Sequence, residues 1–196
     1  LIGVKASGAK LVRFKHNNLS ELEILLKKSR QKNPRKQPLV ITESLFSMEG
    51  TTAPIKEISK LCIKYDSKLL IDEAHSFGVM GPAGRGESFG LKEPISIISG
   101  TFGKAFGSGG AFLATDKITG ENLIQNCGAF RYTTALAPPL CASALAALNL
   151  IESNPSWARE LKEKSIAFRD RLSQIGWQRP VGEGPIISIV LGSDEL

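Results

Sequence analysis

The chain has 196 residues, enough for one domain or one and a half, and 42% of them are hydrophobic while 22% are charged. This composition is that of a globular protein with a core, and it excludes disordered and fibrous classes. No apolar run approaches the ~18 residues of a membrane span, so we expect no membrane partner. The net charge of +6 comes from dispersed basic residues and one denser run at positions 27–36. We interpret that run as a helix end and solvated loop, and expect no nucleic acid partner.

Short apolar runs alternate with amphipathic stretches along the chain, which is typical of α/β organisation. We predict strands at residues 11–14, 39–42, 69–71, 95–98, 111–114 and 185–191, and helices at 19–26, 55–65, 116–126, 138–151 and 157–175. Asn18 or Ser20 is available to cap the first of these helices, and Gly176 to end the last. The strands are continuously apolar, which favours a mostly parallel sheet covered by helices on both faces.

Three polar side chains follow predicted strands directly: Glu43, Asp72 and Thr101. Ligands of such sheets lie beyond the carboxyl ends of the strands, so we expect these residues to face one crevice.

The cysteines are few and widely spaced, with no Cys-x-x-Cys pair: Cys62, Cys127 and Cys141. This spacing argues against a disulfide framework and a zinc site, and it favours a reducing compartment, which we take to be the cytoplasm. We expect all three side chains to be buried and no metal to be bound. His16 has no supporting motif, and we expect it to be structural or exposed.

Lys104 lies in a glycine-rich run, residues 100–110, thirty-two positions after Asp72. Small neighbours allow a flat ring to approach a lysine closely, and a carboxylate at a strand end can hold a pyridinium nitrogen. Together these residues indicate a pyridoxal 5′-phosphate (PLP) enzyme, in which Lys104 is the Schiff-base lysine. His75, three residues after Asp72, is a candidate acid or base.

Several segments, in a fixed order, also carry a resemblance. They read TESLFSMEG at 42–50, AP at 53–54, DEAHSFGV at 72–79, GRG at 84–86, TFGKAFG at 101–107 and YTTA at 132–135, with prolines at 138 and 139. This series resembles the α-oxoamine synthases, a family of fold-type I PLP enzymes. The resemblance extends from the first residue to at least Ser153, and more faintly to the end.

The resemblance implies a role for each matching residue. Lys104 and Asp72 would hold the cofactor, while His75 and Ser47 would face its phenolic oxygen. Thr101 would contact the phosphate, and Thr133 or Thr134 would reach the phosphate of a neighbouring subunit. We therefore expect a homodimer with shared active sites.

The resemblance also implies a reaction and a domain plan. The family condenses an amino acid with an acyl thioester and releases CO2. The sequence leans toward the branch that joins L-alanine to a pimeloyl thioester, carried by CoA or a carrier protein, to give 8-amino-7-oxononanoate for biotin. We expect residues 1–153 to belong to the large PLP-binding domain, without its N-terminal portion, and residues 154–196 to begin the smaller C-terminal α/β domain.

Two alternatives stay open from the sequence. The same residues would serve other members of the family: glycine C-acetyltransferase, 5-aminolevulinate synthase or serine palmitoyltransferase. The second is a nucleic-acid-dependent ATPase, because residues 72–75 spell the DEAH box of such enzymes. That chemistry needs a G-x-x-x-x-G-K-[ST] loop upstream, and the chain has none.

Overall fold

The computed structural model describes residues 2–192. Its sheet has four strands in the order of the chain: β1 (Leu39–Glu43), β2 (Lys68–Asp72), β3 (Ile97–Thr101) and β4 (Ala111–Thr115). The first three strands are parallel, and β4 runs antiparallel to β3. The helices are α1 (Ile2–Ala6), α2 (Leu19–Lys32), α3 (Ile55–Lys64), α4 (Lys117–Asn126), α5 (Gly128–Arg131), α6 (Pro138–Ser153) and α7 (Trp157–Gln174), with a 3-10 turn at Pro82–Gly84. The predicted α/β class, with a mostly parallel central sheet, is confirmed.

The core lies between one face of the sheet and the helices α2 and α3. Apolar side chains at helical spacing from these helices meet the inward side chains of β1 and β2. They are Leu22, Leu26, Ile55, Ile58, Cys62, Val40, Leu69 and Ile71. Burying each large aliphatic side chain stabilises the fold by roughly 1.5–3 kcal/mol. The predicted cap is confirmed for Asn18, whose side chain accepts the Glu21 N–H at 2.9 Å.

The opposite face of the sheet is open in the described part of the chain. Three of its apolar side chains, Leu39, Ile41 and Leu113, are 47%, 43% and 51% exposed. Within residues 2–192, α2 and α3 pack on the same side of the sheet, so the described residues leave these side chains exposed on the other side.

Two predicted strands are wrong. Residues 11–14 pair with no strand; Phe14 instead packs on the core as a single side chain, which requires no ladder. Residues 185–191 also form no strand, because the carbonyls of Gly184 and Ile186 are bound by Arg169 rather than by a neighbouring backbone. The strand predicted at 95–98 begins two residues later and includes Thr101.

The cysteine prediction is confirmed for Cys62 and wrong for Cys141. Cys62 is buried on α3, and burial raises the pKa of its thiol to about 11. Cys127 is half-buried, and Cys141 is exposed because α6 buries none of its side chains fully. Within residues 2–192, no group of three metal-ligating side chains occurs, and none of the helices has the length and apolar character to cross a membrane.

Arg169 on α7 is fully buried, yet it forms no ion pair among the described residues. Its guanidinium donates to the carbonyls of Val181, Gly184 and Ile186 at 3.2, 2.8 and 2.6 Å. The segment that it holds passes over the turn at Gly50, where an added Cβ would lie 2.3 Å from the Ile186 carbonyl oxygen. Arg169 therefore fastens the segment after α7 to the sheet domain.

We predict that Arg169→Met lowers the free energy of unfolding by about 2–4 kcal/mol, because each buried acceptor left without a donor costs about 1–3 kcal/mol. Urea unfolding of the complete gene product measures this loss. Arg159→Met on the same helix is the control. Arg159 is exposed, and its one ion pair within residues 2–192 is with Glu163, so its loss should cost about 0.5 kcal/mol or less. Equal costs for the two variants would contradict the account.

Candidate active site

The register of the parallel strands brings the predicted crevice residues to one edge of the sheet. Glu43 is the register partner of Asp72, and Asp72 is the partner of Ser99, two residues before Thr101. Neighbouring residues of paired strands point to the same face. Glu43, Asp72 and Thr101 therefore share the open face, as the sequence predicted for one crevice.

Asp72 presents a carboxylate oxygen to that face. Its Oδ1 accepts the Ala74 N–H at 2.9 Å, and no other hydrogen bond of the described residues involves its carboxylate. A groove of about 310 Å³ opens beside it, at the small end of the range for ligand sites. The groove is lined by Asp72, Ala74, Ser99, Gly100, Thr101, Ala111, Phe112, Leu113 and Phe130. Of the three predicted crevice residues, Asp72 and Thr101 line this groove and Glu43 does not. Lys104, His75 and Ser47 do not line it either, so the groove reaches one side of the predicted site.

His75 is half-buried in the turn that follows β2, where Phe77 N–H bonds the Glu73 carbonyl at 2.8 Å. Burial lowers the pKa of His75, and the positive charge of Lys104 lowers it further. The carboxylates of Glu43 and Asp72 act in the opposite direction on this pKa. Lys104, Asp72 and Glu43 thus each lie within electrostatic range of His75.

Lys104 is exposed on a loop that is closed at its base by hydrogen bonds. Phe102 N–H donates to Gly110 O, and Ser108 N–H donates to Phe102 O, both at 2.9 Å. Gly107 and Gly110 have φ of +57° and +93°, values that L residues with a side chain rarely adopt. The glycines of this run therefore shape the loop that presents the lysine.

A cluster of phenylalanines joins the Lys104 loop to the His75 turn. Phe77 stacks on Phe106 with centroids 4.8 Å apart, and its ring meets Phe112 edge-on at 5.2 Å. Phe102 contacts both Phe106 and Phe112. The backbone at Gly78 also lies close to the Lys104 loop, because a Cβ at Gly78 would lie 2.7 Å from the Cβ of Ala105. These contacts fix the loop against the turn.

Thr101 uses its hydroxyl within the protein. Its Oγ1 donates to Gly110 O at 3.0 Å and accepts the Gly103 N–H at 3.1 Å. The single hydroxyl proton is therefore engaged, and a donor contact to phosphate would require it to leave Gly110. The predicted phosphate role of Thr101 stays a prediction.

Ser47, Thr133 and Thr134 are exposed, and no hydrogen bond of the described residues joins them to Asp72, His75 or Lys104. Ser47 lies on the turn after β1, where its N–H donates to the Glu43 carboxylate at 3.2 Å. The two threonines lie between α5 and α6, in a segment that packs beside the Lys104 loop through Leu136 and Gly110. Their cofactor roles also stay predictions.

The sequence analysis missed two groups of residues that support the site: the buried carboxylate of Glu73 and the phenylalanine cluster. The signal for Glu73 was present, since a second acidic residue directly after a buried strand needs a partner. The cluster gave no local signal, because Phe77 and Phe112 are far apart in the chain. His16 is structural, as expected: its Nε2 lies 2.8 Å from Thr51 Oγ1.

Comparison with known proteins identifies the family of the chain. Residues 2–196 match the aminotransferase class I and II family. An 8-amino-7-oxononanoate synthase from Anaeromyxobacter dehalogenans is 37% identical over 194 residues, which are 98% of this chain and 48% of the relative. The chain thus spans about half the length of the curated relatives it matches.

Two solved structures share the fold. A serine palmitoyltransferase from S. paucimobilis, with a bound PLP–myriocin aldimine, has a TM-score of 0.86 and 29% identity, and the match covers 95% of this chain and 49% of that one. An 8-amino-7-oxononanoate synthase from Francisella tularensis has a TM-score of 0.79 and 31% identity, covering 98% and 55%. The predicted resemblance to the α-oxoamine synthases is confirmed.

We predict that Lys104→Met raises the pKa of His75 in the ligand-free protein, because it removes the positive charge that disfavours the imidazolium. NMR titration of the His75 imidazole measures the change. Lys60→Met, an exposed lysine of α3, is the control and should leave this pKa unchanged.

The lowered pKa of His75 also makes the stability of the fold depend on pH. His75 favours the folded state above its unfolded pKa of about 6.5, and this contribution falls as the pH drops through the folded value.

A His75 pKa that does not respond to Lys104→Met would contradict the proximity of the two groups.

Proposed function

The chain belongs to the aminotransferase class I and II family, and we propose that it forms the lysine-bearing part of a PLP-dependent α-oxoamine synthase. The observation that supports this most is the position of Asp72 at the carboxyl edge of the sheet, with His75 on the turn after β2 and Lys104 on the loop after β3. The relatives named 8-amino-7-oxononanoate synthase add the substrate class. The proposed reaction joins L-alanine to a pimeloyl thioester, releases CO2 and the thiol, and gives 8-amino-7-oxononanoate.

The residues present fit PLP. Asp72 lies on an open face and has a second carboxylate oxygen that accepts no hydrogen bond from residues 2–192, which suits a protonated ring nitrogen. Lys104 is exposed on a loop of small residues, so an aldehyde can reach its Nζ. His75 and the exposed side chain of Ser47 are on the turns that flank this edge. When bound, PLP supplies an electron sink for the electrons released at the substrate Cα.

Each side chain has a proposed task at that position. Asp72 keeps the proton on the ring nitrogen, and Lys104 binds the cofactor through Nζ. With the cofactor bound, Lys104 Nζ would accept the proton that leaves the substrate Cα. His75, held neutral by its lowered pKa, can accept a hydrogen bond near the acyl carbonyl or move a proton there.

A second candidate is a serine palmitoyltransferase, which the TM-score of 0.86 to such an enzyme favours. An assay of alanine, glycine and serine against pimeloyl, acetyl, succinyl and palmitoyl thioesters separates these substrates and also tests the remaining family members. Turnover with alanine and a pimeloyl thioester alone would support the first proposal. The ATPase alternative receives no support, since the whole described chain matches an aminotransferase family.

We propose the same domain plan as the sequence predicted. Residues 1–153 belong to the large PLP-binding domain, and residues 154–196 begin the small one; α6 ends at Ser153, at this boundary. A homodimer in the cytoplasm completes the proposal. Thr133 or Thr134, exposed after α5, would contact the phosphate in the partner's site.

We predict that borohydride fixes PLP on Lys104 in the complete gene product. Peptide mapping should place the label on the peptide that contains Lys104, since its loop presents the amine at the edge that carries Asp72. A label on another lysine would overturn the assignment. Lys104→Ala should take up no label and Lys60→Met, the control, a normal amount.

We predict that Asp72→Asn still binds PLP but loses orders of magnitude in turnover. Asn cannot keep the ring nitrogen protonated, and the rate falls about tenfold for each 1.4 kcal/mol of lost transition-state stabilisation. His75→Ala should cost about 10²–10⁴, the usual worth of a positioned acid or base. Steady-state kinetics with alanine measures both effects, and an Asp72→Asn enzyme of normal rate would refute the pyridinium role.

A further inference from the structure

Glu73 is a buried carboxylate without a cation. Its side chain is 2% exposed, and none of the described ion pairs includes it. It accepts hydrogen bonds from the Ser76 hydroxyl, from the Glu87 N–H at 3.1 Å and from the Ser88 N–H at 2.7 Å. Burying a carboxylate is costly unless hydrogen bonds satisfy it, and an apolar residue would fill such a space more cheaply. The buried carboxyl group of Glu73 therefore indicates a role other than packing.

The bonds of Glu73 tie together two segments, which a backbone hydrogen bond from the Gly86 N–H to the Met80 carbonyl at 2.9 Å also joins. One is the turn at residues 74–80, which carries His75, and the other is the loop at residues 86–88. Gly86 shows how closely the loop approaches: its φ is +92°, and an added Cβ would lie 2.9 Å from Glu73 Oε2. Only a residue without a side chain fits between the loop and the carboxylate.

The same network reaches the backbone of Asp72. Ser76 Oγ lies 2.6 Å from Ser44 Oγ, and both hydroxyls are fully buried. Ser44 donates its N–H to the Asp72 carbonyl at 2.9 Å, and its Oγ lies 3.1 Å from the same carbonyl oxygen. Glu73 also donates its own N–H to Ser99 O at 2.8 Å. These hydrogen bonds thus connect the carboxyl ends of β1, β2 and β3, beside the residues that face the open side of the sheet.

The position of the turn at residues 74–80 determines the position of the loop that carries Lys104. Phe77 and Gly78, in the turn that Glu73 holds, contact Phe106 and Ala105, the two residues that follow Lys104. A displacement of the turn would therefore move both His75 and Lys104 relative to Asp72.

We propose that Glu73 is a positioning residue, whose buried carboxylate fixes the turn at 74–80 and through it the relative places of His75, Lys104 and Asp72. For PLP this inference rests on the proposed function; for His75 it rests on the geometry alone. Glu73 itself touches no reacting atom, since the protein buries it fully.

Glu73→Gln is the sharpest test, because it keeps the shape of the side chain. Its amide nitrogen would meet one of the two backbone N–H donors, of Glu87 or Ser88, so at least one hydrogen bond is lost. Ser76→Ala removes a single hydrogen bond from the same carboxylate and is the milder variant. Glu57→Gln, an exposed carboxylate of α3, is the matched control.

Two measurements on the folded complete gene product decide the proposal. The first is the NMR titration of His75 without PLP. We expect its pKa to rise toward the ordinary value in Glu73→Gln, because the loosened turn hydrates the ring and moves it away from Lys104; Glu43 and Asp72 are the facing carboxylates. The second is the dissociation constant of PLP, followed by its absorption band. We expect an increase of about tenfold or more, as displaced binding groups commonly cause.

A purely structural role would lower the unfolding midpoint and leave both readouts of the folded protein unchanged; that result would overturn the proposal. If Glu73→Gln does not fold, Ser76→Ala decides: shifts in the same direction support the proposal, and wild-type values overturn it. If the wild-type protein binds no PLP, the proposed function fails, while the His75 titration still tests the positioning role.

Discussion

The parallel register of β1, β2 and β3 is the constraint on which the site depends. It places Glu43 beside Asp72 and Asp72 beside Ser99, so that three strands end at one edge with their polar side chains on one face. The turns that leave this edge then carry Ser47, His75 and Lys104. A slip of one residue in any strand would send its polar side chain to the opposite, packed face. The core formed by α2 and α3 prevents such a slip, because it requires Val40, Leu69 and Ile71 to face inward.

Much of this arrangement could be predicted because it is local. Apolar runs predicted β1 and β2 to within a residue or two, and a capping side chain predicted the start of α2. The polar residues at the ends of the strands predicted that one edge of the sheet carries the site. The failures have a common cause in contacts between distant residues. The run at 185–191 has the composition of a strand, yet Arg169 binds its carbonyls. Phe77 and Phe112 meet only because β4 folds back beside β3, and Gly100 leaves room for the Phe112 ring.

The open face of the sheet connects stability with chemistry. Leu39, Ile41 and Leu113 are exposed on the face that also carries Asp72, and the groove beside Asp72 lies over it. Any segment that packs there would bury apolar surface and would also exclude water from the carboxylate, which strengthens its interaction with a charged ring. The chain spans about half the length of its relatives, so the activity itself is a property to be tested on the complete gene product.

The central claim is that the edge formed by β1, β2 and β3 is the PLP site of this protein. A crystal structure of the complete gene product with PLP tests it most directly, through the distance between the Asp72 carboxylate and the pyridine nitrogen. The account predicts a hydrogen bond of about 2.6–3.2 Å there, with Lys104 Nζ bonded to the cofactor. A cofactor bound elsewhere, or a ring nitrogen without a contact to Asp72, would contradict it.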